Sequence, residues 1–459
     1  MEKKITLLGA GLVGSLLGIL LQKRGYQVKI LERRPDMRKQ NISAGRSINL
    51  AMSVRGWAAL EMAGLRNDIE SIAIPMYGRQ IHSTEGTQIF QAYGKNNEAI
   101  YSVSRGELNK KLMSLAEECG VEIRFNQRVD EVDLDTNQLQ ITDMLHQESH
   151  TRHEQDFLIA ADGAFSSLRN AYVKTDRFNY SQFYIEHGYK ELYIPPGNGN
   201  SFRMEKNALH IWPRKNFMLI ALPNFDGSFT CTLFFPFEGK ASFQSLQTPD
   251  QVEDFFRKEF HDTLDLIPDL KSDFFQNPSS SLVTVRCYPW VYKNKSMLIG
   301  DAAHAIVPFY GQGMNAGFED CRIFTELLDG YKGDDWNELL LQYQQLRKRN
   351  GDAVAELALQ NFIEMRDKVA DPVFLERKRI EKQLGLLFPG QFNSVYEMVS
   401  FSHTPYADAL ACQQAQDILL QKIMERGSFD QNLQDEQFRN DLNTWITEYA
   451  SEAGKILAS

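Results

Sequence analysis

The stretch ITLLGAGLVGSLLGILLQKRGYQVKILERR, residues 5–34, decides the fold class of this chain. An apolar run breaks into glycine, a stretch with helical apolar spacing follows, and a second apolar run ends in Glu32. This order predicts a β-α-β unit. The glycines Gly9, Gly11 and Gly14 have the G-x-G-x-x-G spacing of dinucleotide-binding turns. We therefore expect an α/β fold that begins with a Rossmann-like nucleotide-binding domain.

Each of these glycines has a separate task. Gly9 makes the tight turn, Gly11 lets the backbone approach a pyrophosphate, and Gly14 lets the helix lie close to the strand. The N-terminus of the helix offers N–H groups and partial positive charge to phosphates. Glu32 stands eighteen residues after Gly14, where it would accept hydrogen bonds from a ribose hydroxyl, and two arginines follow it. NAD, NADP and FAD all fit this pattern.

Composition and charge exclude several classes of protein. The chain has 459 residues, of which 43% are hydrophobic and 24% charged, as expected of two or three globular domains. A net charge of −10 disfavours nucleic acid or an anionic membrane as a partner, because both attract basic surfaces. Five scattered cysteines without a CxxC pair favour reduced thiols in a cytoplasmic protein and predict no metal site. We expect a monomer or a weak homodimer.

The beginning of the chain superficially resembles a secretory signal peptide, because a basic start precedes an apolar run. The glycine spacing, the Gln-Lys-Arg-Gly sequence that ends the run, and the strand that follows at once argue against this interpretation. No later stretch reaches the ~18 apolar residues that a membrane span needs. We expect a soluble protein.

A second glycine-rich stretch, LIGDAAHAIVPFYGQGMNAGFEDC at 298–321, has the small residues that a flat ring system requires beside it. It predicts a strand that ends at Asp301 and a helix that opens near Gly313. Asp301 would bind the hydroxyls of a sugar-alcohol chain. The helix N-terminus, with Met314 and Asn315, would stabilise negative charge on a ring edge. These features indicate an isoalloxazine ring, so we infer that the cofactor is FAD.

Three segments together resemble the single-component, FAD-dependent aromatic hydroxylases. They are GAGLVG with Glu32, the D-G-x-x-S-x-x-R run at 162–169, and GDAAH with GQGMN at 300–315. Alone, the run at 162–169 could be a simple turn between a strand and a helix. Further stretches resemble the members of this family that hydroxylate L-kynurenine: GRSINLA at 45–51, GRQIHS at 78–83, SVSRGELNKKL at 102–112, HGYKEL at 187–192, ALHIWPR at 208–214, SFTCTLFFPFE at 228–238 and NFIEMR at 361–366.

The resemblance implies a reaction. Members of the family bind FAD, use NADPH as a transient co-substrate, and let O2 form a flavin hydroperoxide that hydroxylates an aromatic ring. Here that reaction would be the conversion of L-kynurenine to 3-hydroxy-L-kynurenine in tryptophan degradation. The aniline ring is already electron-rich, so we expect no catalytic acid or base from the protein. His304 is the obvious candidate, but a lone histidine in an alanine run is more often structural.

The resemblance also implies the residues that bind the two ligands. An arginine and a tyrosine would hold the α-carboxylate of the substrate, and a phenylalanine would stack on its ring. The expected substrate contacts are Arg79, Tyr93, Phe234, Asn361, Glu364, Met365 and Tyr396. The expected FAD contacts are Gly9, Gly11, Val13, Gly14, Leu31, Glu32, Arg33, Arg34, Ala51, Arg105, Asp301, Gly313, Met314 and Asn315.

Ordinary structural roles remain open for several of these side chains. Arg79 could pair with a surface acid, Tyr93 and Tyr396 could lie at the edge of a core, Phe234 could be a core residue, and Arg105 could be a charge at a helix N-terminus. Two other functions also remain open. One is hydroxylation of a different aromatic acid, and the other is a flavin-binding sensor of redox state or ligand without turnover.

We expect a discontinuous FAD-binding domain (1–70, 101–175 and 285–330), a β-sheet substrate domain (71–100 and 176–284) and a C-terminal helical cap (331–459). Charge runs in the cap, such as LERKRIEKQ at 375–383, are typical of solvated helix faces. Animal members of the family carry a C-terminal membrane anchor. This chain ends in a charged, amphipathic segment, so we do not expect an anchor here.

Overall fold

The structure is a computed structural model that describes residues 4–39, 48–94, 97–153, 157–333, 335–365 and 371–458. The first three residues of the GRSINLA motif and the last residue of NFIEMR therefore lie outside the described residues. The strands are β1 (Lys4–Leu8), β2 (Gln27–Leu31), β3 (Asn49–Met52), β4 (Ile74–Met76), β5 (Gly78–His82), β6 (Gln88–Ala92), β7 (Ile100–Ser104), β8 (Glu122–Arg124), β9 (Gln127–Asp133), β10 (Gln138–Asp143), β11 (Glu148–His153), β12 (Phe157–Ala160), β13 (Asn179–Ile194), β14 (Ala208–Arg214), β15 (Phe217–Pro223), β16 (Phe229–Pro236), β17 (Ser280–Tyr288), β18 (Val291–Tyr292) and β19 (Ser296–Leu298).

Helices lie between the strands, and all regular elements described after residue 300 are helices. They are α1 (Leu12–Gln22), α2 (Val54–Met62), α3 (Arg66–Glu70), α4 (Arg105–Glu118), α5 (Ser167–Val173), α6 (Pro249–Glu259), α7 (Leu270–Gln276), α8 (Asp301–His304), α9 (Gly313–Gly330), α10 (Asn337–Ile363), α11 (Pro372–Leu387), α12 (Val395–Ser400), α13 (Tyr406–Met424), α14 (Phe429–Asn432) and α15 (Glu436–Leu457).

The first strand lies inside a largely parallel sheet with the order β18-β19-β12-β1-β2-β8. Ile5 pairs with Val28 on one side and with Phe157 on the other, and Ile5 is fully buried. Both faces of a parallel sheet are normally covered, and residues 5–8 of β1 are all buried, which explains why this strand is almost entirely apolar. The β-α-β unit expected from residues 5–34 is confirmed. The run that resembled a signal peptide is this inner strand and its helix.

Glycine determines how closely α1 lies on this sheet. A Cβ atom added at Gly14 would stand 2.0 Å from the carbonyl oxygen of Gly9, and one at Gly9 would stand 2.8 Å from that of Ala161. Gly9 also has a φ of 94°, which other residues rarely adopt. The turn therefore requires glycine at both positions for packing alone, whatever it binds.

A second, mostly antiparallel sheet has the order β17-β13-β16-β15-β14-β5-β6. Side chains alternate between its two faces, so Arg79 and Ile81 of β5 face one way and His82 faces the other. Helices α6 and α7 cover the second face, where Trp212, Phe235 and Phe256 belong to one apolar core. The first face remains available to form the roof of a cavity.

The C-terminal helices form a separate apolar core, which includes Phe392, Tyr406 and Leu420. A buried ionic network connects this core to the parallel-sheet region. Arg55 of α2 donates to Glu319 of α9 at 2.5 Å, and also to the carbonyl oxygens of Met398, Val399 and Thr404 in and after α12. Among the described helices, none combines the length and the apolar character that crossing a bilayer demands.

The expectation that LERKRIEKQ forms a solvated face is wrong for part of this run. Within α11, Ile380 is 1% exposed and Glu381 is 8% exposed. Arg377 forms ion pairs with Glu381 and with Asp417 of α13. The charges on this side of α11 are partly buried because α13 supplies a partner across the interface, and a charge count along one helix does not reveal that neighbour.

Candidate functional site

A cavity of about 750 Å³ extends from the first glycine turn to the antiparallel sheet. Gly9, Gly11 and Glu32 lie at one end, and Phe234 and Tyr396 lie at the other. The expected cofactor and substrate residues therefore share one continuous space. Most of them line it: Gly9, Gly11, Val13, Leu31, Glu32, Arg33, Arg34, Ala51, Arg105, Asp301, Gly313 and Met314 among the cofactor set, and Arg79, Tyr93, Phe234, Met365 and Tyr396 among the substrate set.

At the nucleotide end of the cavity, the backbone of Gly11 has empty space beside its Cα atom. A Cβ atom added there would meet no atom within 4 Å, unlike one added at Gly9 or Gly14. Helix α1 begins at the next residue, so its first N–H groups lie beside this open position. The arrangement fits a pyrophosphate that approaches the backbone closely at Gly11.

Glu32 follows β2 directly, and its carboxylate is almost completely buried. It accepts hydrogen bonds from the backbone N–H of Ala10 at 2.8 Å and from the backbone N–H of Arg34 at 2.9 Å. Burial raises the pKa of Glu32, but the hydrogen bonds and charge of Arg34 outweigh burial and hold the pKa below its ordinary value. Arg34 Nε also donates to Oε1 at 2.9 Å, so Oε2, which accepts only from Ala10, has the lone pair that can accept a ribose hydroxyl.

Asp162 is a cavity residue that the site prediction from sequence omitted, although the motif around it was recognised. Its Oδ2 atom accepts from the backbone N–H and the hydroxyl of Ser167, at 2.8 and 3.0 Å. Its Oδ1 atom is buried and has no hydrogen-bond partner among the described residues. Burial raises the pKa of the Asp162 carboxyl. An unsatisfied buried acceptor is costly, and a hydroxyl donated by a bound ligand would satisfy it.

The run at 162–169 is also more than a plain turn. Ser166 accepts a hydrogen bond from the backbone N–H of Arg169 and so caps α5. The buried guanidinium of Arg169 donates to the carbonyl oxygen of Ala302 at 2.9 Å. This bond connects the run at 162–169 to the segment that carries Asp301.

Asp301 and Arg105 lie at the middle of the cavity wall. The Asp301 carboxyl opens into the cavity rather than onto the outer surface. Burial raises its pKa, and the nearby charges of Arg105 and His304 oppose that rise. Asp301 is exposed at the cavity wall, where its carboxyl group can accept hydroxyl groups of a sugar-alcohol chain.

Helix α9 opens toward the cavity with Gly313 and Met314, and the side chain of the next residue, Asn315, lies behind the cavity wall. Its side chain is fully buried. The Oδ1 atom accepts from the backbone N–H of Ser53 at 2.9 Å, and the Nδ2 atom donates to the carbonyl oxygens of Ala51 and Gly311, both at 2.8 Å. The amide holds two cavity segments together and does not line the cavity. Gly14 is likewise a packing residue beneath the cavity wall.

His304 lies outside the cavity wall. Its Nε2 atom is 2.6 Å from Oδ2 of Asp320, and its ring stacks on Trp290 at 5.1 Å. Asp320 also accepts from the backbone N–H of Gly300 at 3.1 Å. The pair therefore supports the turn that precedes Asp301, which is a structural role.

The substrate end combines a half-buried cation with aromatic rings. The Arg79 guanidinium lies 5.5 Å from the ring centroid of Tyr93 and 5.1 Å from that of Tyr396. Its Nε atom and the Tyr93 hydroxyl are buried and have no hydrogen-bond partner among the described residues, and the groups that act on Arg79 are tyrosines rather than described acids. Arg79 therefore does not form the surface ion pair that the sequence left open. A half-buried arginine without a described acidic partner, beside an unsatisfied phenol, fits an incoming carboxylate.

The local structure of the cap positions Tyr396. Ser394 forms a capping box with Glu397, in which the Glu397 N–H donates to Ser394 at 3.2 Å and the Ser394 N–H donates to Glu397 at 2.8 Å. This box fixes the first turn of α12. Tyr396 in that turn stacks on Tyr93 at 5.5 Å and on Tyr310 at 5.8 Å.

Phe234 of β16 lies on the cavity side of the antiparallel sheet. It is 4% exposed, and its ring centroid lies 4.9 Å from that of Phe309 at an interplanar angle of 51°. Phe309 lies in turn 4.3 Å from Phe362 of α10. These rings give the substrate end an apolar wall against which an aromatic ring can pack.

A second, smaller cavity of about 210 Å³ lies behind this end. Asn361 and Glu364 line the smaller cavity and not the larger one. The Nδ2 atom of Asn361 donates to the carbonyl oxygen of Phe309 at 2.7 Å. The predicted substrate set is therefore divided between two spaces. Five residues line both spaces and form a shared wall: Arg79, Tyr93, Tyr310, Met365 and Tyr396.

The described residues contain no group of histidine, cysteine, aspartate or glutamate side chains arranged to hold a metal ion. The large cavity does fit FAD. It has an open backbone at Gly11, carboxylates at Glu32 and Asp301, an unsatisfied acceptor at Asp162, and a helix N-terminus at Gly313.

Comparisons with known proteins agree with this geometry. Residues 2–358 match the family described as FAD binding domain. A kynurenine 3-monooxygenase of Flavobacterium johnsoniae is 50% identical over 422 residues, which cover 92% of this chain and 94% of that protein. The kynurenine 3-monooxygenase of Dictyostelium discoideum is 47% identical, with 95% of each chain covered.

Solved structures show the same fold at lower sequence identity. The tetrameric form of 2-methyl-3-hydroxypyridine-5-carboxylic acid oxygenase superposes with a TM-score of 0.65 and 18% identity, over 81% of this chain and 94% of that one. The tetracycline destructase Tet(51) superposes with a TM-score of 0.60 over 87% of this chain and 98% of its own. The close relatives and the matched domain together establish that this chain belongs to the kynurenine 3-monooxygenase family of FAD-binding proteins.

Proposed function

We propose that this protein is an NADPH- and O2-dependent monooxygenase that uses bound FAD to convert L-kynurenine to 3-hydroxy-L-kynurenine. One observation carries the choice of substrate. Arg79 is a half-buried cation, with a buried Nε atom and without a described acidic partner, at the end of the cofactor cavity and between two tyrosine rings. An amino-acid carboxylate would pair with that cation, and the relatives named kynurenine 3-monooxygenase support this assignment.

Bound FAD would supply the redox chemistry, namely hydride acceptance from NADPH and activation of O2. The protein holds the cofactor along the large cavity. The backbone at Gly9 and Gly11 receives the pyrophosphate, Glu32 binds the ribose, and Asp301 binds the sugar-alcohol chain. We assign the remaining cofactor contacts to Val13, Leu31, Arg33, Arg34, Ala51, Arg105, Gly313 and Met314, and add Asp162.

The substrate residues hold L-kynurenine in the reactive pose. Arg79 and the Tyr93 hydroxyl bind the α-carboxylate, and Phe234 packs against the aromatic ring. Burial raises the pKa of Tyr93 and of Tyr310, so both phenols stay protonated at neutral pH and donate hydrogen bonds rather than act as bases. Asn361 and Glu364 face the amino group from the smaller cavity, while Tyr396 closes the pocket.

Exclusion of water is the other task of this site. Phe234, Phe309 and Met365 are at most 7% exposed, and they surround the space in which the ring would react. A dry site prevents water from consuming the activated oxygen before transfer. The amino group of the substrate already activates the adjacent ring carbon, so the proposal assigns no catalytic acid or base.

The three-part division of labour is part of the proposal. Segments 1–70, 101–175 and 285–330 hold FAD, segments 71–100 and 176–284 form the roof over the substrate, and 331–459 caps it.

Four of the five cysteines are buried as free thiols, which supports a reducing, cytoplasmic location. We further infer a monomer or weak homodimer that takes small molecules as partners and binds no nucleic acid.

The deciding experiment measures NADPH oxidation by the purified flavoprotein with and without L-kynurenine, and identifies the product by mass and retention time. Stimulated oxidation with formation of 3-hydroxy-L-kynurenine is the expected result. Stimulation that releases hydrogen peroxide without a hydroxylated product would show that kynurenine binds in an unreactive pose. Binding without stimulation would favour a ligand sensor, and neither binding nor stimulation would favour a different aromatic acid.

A further inference from the structure

The smaller cavity, here named the vestibule, lies among helices α10, α11, α12 and α13. Its outer rim reaches the surface, because Leu375 is 48% exposed and Lys382 is also exposed. Its inner end is the shared wall that contains Arg79 and Tyr396. The vestibule therefore connects the molecular surface to the back of the substrate pocket.

The position of the vestibule gives it a role in access. FAD would fill the large cavity from the glycine turn to the start of α9. The antiparallel sheet closes the roof, with Met218 and Phe234 both at most 4% exposed. The vestibule offers a substrate that enters after the cofactor a route from the surface to the shared wall. The substrate then reaches Arg79 without passing the flavin.

The charges of the vestibule match a zwitterion. Four cationic and four anionic side chains line it: Arg79, Arg377, Lys378 and Lys382, and Glu364, Glu381, Glu397 and Asp417. A cavity for an anion alone would carry an excess of cations, and one for a cation an excess of anions. Several of these charges pair with one another, as Arg377 does with Asp417 and Lys378 with Glu381, so the lining has no net charge. A neutral lining suits a zwitterionic α-amino acid better than an ion of one sign.

Unsatisfied polar atoms point to a ligand in the same space. The Oε1 atoms of Gln360 and Gln413 are buried, line the vestibule, and have no hydrogen-bond partner among the described residues. The Nε2 atom of Gln360 is already used, because it donates to Glu356 at 3.1 Å. Two free amide carbonyl oxygens can accept hydrogen bonds from an ammonium group. Arg79 and Tyr93, at the inner end, offer the donors for a carboxylate.

We propose that the vestibule is a second, transient binding site for the α-amino acid group of L-kynurenine, and that the substrate passes through it to Arg79. The ammonium group binds Gln360 and Gln413 on entry, and the carboxylate then passes to Arg79 and Tyr93 across the shared wall. This inference rests on the proposed function, because it takes L-kynurenine as the substrate.

The test fills the vestibule with a bulky side chain. The variant Gln413→Trp places an indole in the cavity, and Gln414→Trp places the same group on the exposed side of α13. Stopped-flow absorbance of the bound flavin gives the second-order rate constant for L-kynurenine binding to the oxidised holoenzyme. We expect this rate constant to fall at least tenfold in Gln413→Trp and to stay within twofold of the wild-type value in Gln414→Trp.

Each outcome separates the vestibule from the proposed function. A Gln413→Trp protein that retains its flavin and binds L-kynurenine at the wild-type rate overturns the vestibule and leaves the proposed function intact. A wild-type protein that does not bind L-kynurenine overturns both. If Gln413→Trp loses its flavin, the smaller change Gln413→Phe is measured against Gln414→Phe by the same criterion.

Discussion

The guanidinium of Arg79 lies 5.1 Å from the ring centroid of Tyr396, although the two residues are 317 positions apart in the chain. Arg79 belongs to the roof sheet through β5, and Tyr396 belongs to the cap through α12. The substrate end of the cavity is therefore assembled only when the cap packs against the sheet. Neither segment alone places a cation beside stacked tyrosine rings.

The substitution Arg79→Met tests the carboxylate site. We expect the KM for L-kynurenine to rise tenfold or more, because a charge-assisted hydrogen bond contributes ~1.5–3 kcal/mol. Methionine keeps the length and apolar contacts of the side chain, so the flavin content should stay at the wild-type level. Steady-state NADPH oxidation across a range of L-kynurenine concentrations provides the measurement.

The matched control for this change is Arg257→Met, because the Arg257 side chain is 63% exposed on α6, far from both cavities. It should leave the KM unchanged. An Arg79→Met protein with a wild-type KM would remove Arg79 from the substrate site and reopen the identity of the substrate.

Two glycines of the first turn should respond differently to substitution by valine. At Gly11 an added Cβ meets nothing within 4 Å, so Gly11→Val should fold but lose FAD, since the side chain occupies the space of the pyrophosphate. At Gly14 the same atom would stand 2.0 Å from the Gly9 carbonyl oxygen, so Gly14→Val should fail to fold. The ratio of flavin to protein absorbance, read together with the circular dichroism spectrum, distinguishes the two results. A yellow, folded Gly11→Val protein would contradict the assignment of this turn to FAD.

Much of the nucleotide end could be predicted because its signals are local. The spacing of Gly9, Gly11 and Gly14 before Glu32 encodes a strand, a turn, a helix and a second strand within 30 residues. Backbone geometry imposes those residue types directly, so a short window of sequence carries the information. The resemblance to a family supplied the substrate residues, which come from distant segments.

The parts that sequence could not show depend on contacts between distant helices. The motif predicts a contact to the ring from the backbone N–H of Asn315, but it gives no sign that the side-chain amide binds Ser53, Ala51 and Gly311. The charge run of α11 looked solvated because Asp417, the partner of Arg377, lies on another helix. The division of the substrate residues between two cavities likewise follows from the packing of α10 to α13 and not from any motif.

The buried ionic network around Arg55 should contribute strongly to stability. Arg55 is fully buried and donates to Glu319 and to three backbone carbonyl oxygens of the cap. The substitution Arg55→Met removes the donor to the carbonyl oxygens of Val399 and Thr404, whereas Glu319 keeps its ion pair with Arg347 at 2.8 Å. We therefore expect a loss of ~1–3 kcal/mol in the free energy of unfolding, the cost of buried acceptors without a donor. Urea denaturation followed by circular dichroism measures this loss. The exposed change Arg257→Met should cost no more than ~0.5 kcal/mol, and an equal effect of the two changes would contradict the role of the network.

The paired histidines behind the roof sheet predict how stability depends on pH. The Nε2 atom of His210 lies 2.8 Å from the carbonyl oxygen of Glu205, so it carries the proton, and Nδ1 accepts from Nε2 of His82 at 2.9 Å. The pKa of His210 falls from 6.5 to about 4, chiefly because the ring is buried; the adjacent His82 adds to this fall, and Glu205 and Asp262 oppose it. A second proton on His210 would make its Nδ1 atom a donor that faces the donor Nε2 of His82.

Because the pKa of His210 is lower in the folded chain than in the unfolded chain, His210 contributes its full stability above pH 6.5, the pKa in the unfolded chain. This contribution is lost as the pH falls from 6.5 toward about 4. The unfolded chain takes up the proton in this interval, whereas the folded chain does not. Between pH 7.5 and pH 5 the contribution of His210 should decline by about 2 kcal/mol. The variant His210→Gln keeps a donor toward Glu205 but does not titrate, and the titratable neighbours His82 and Asp262 remain in place. Urea unfolding of both proteins at the two pH values should therefore show a stability difference that is larger at pH 7.5. A difference that is the same at both values would show that His210 does not titrate in this way.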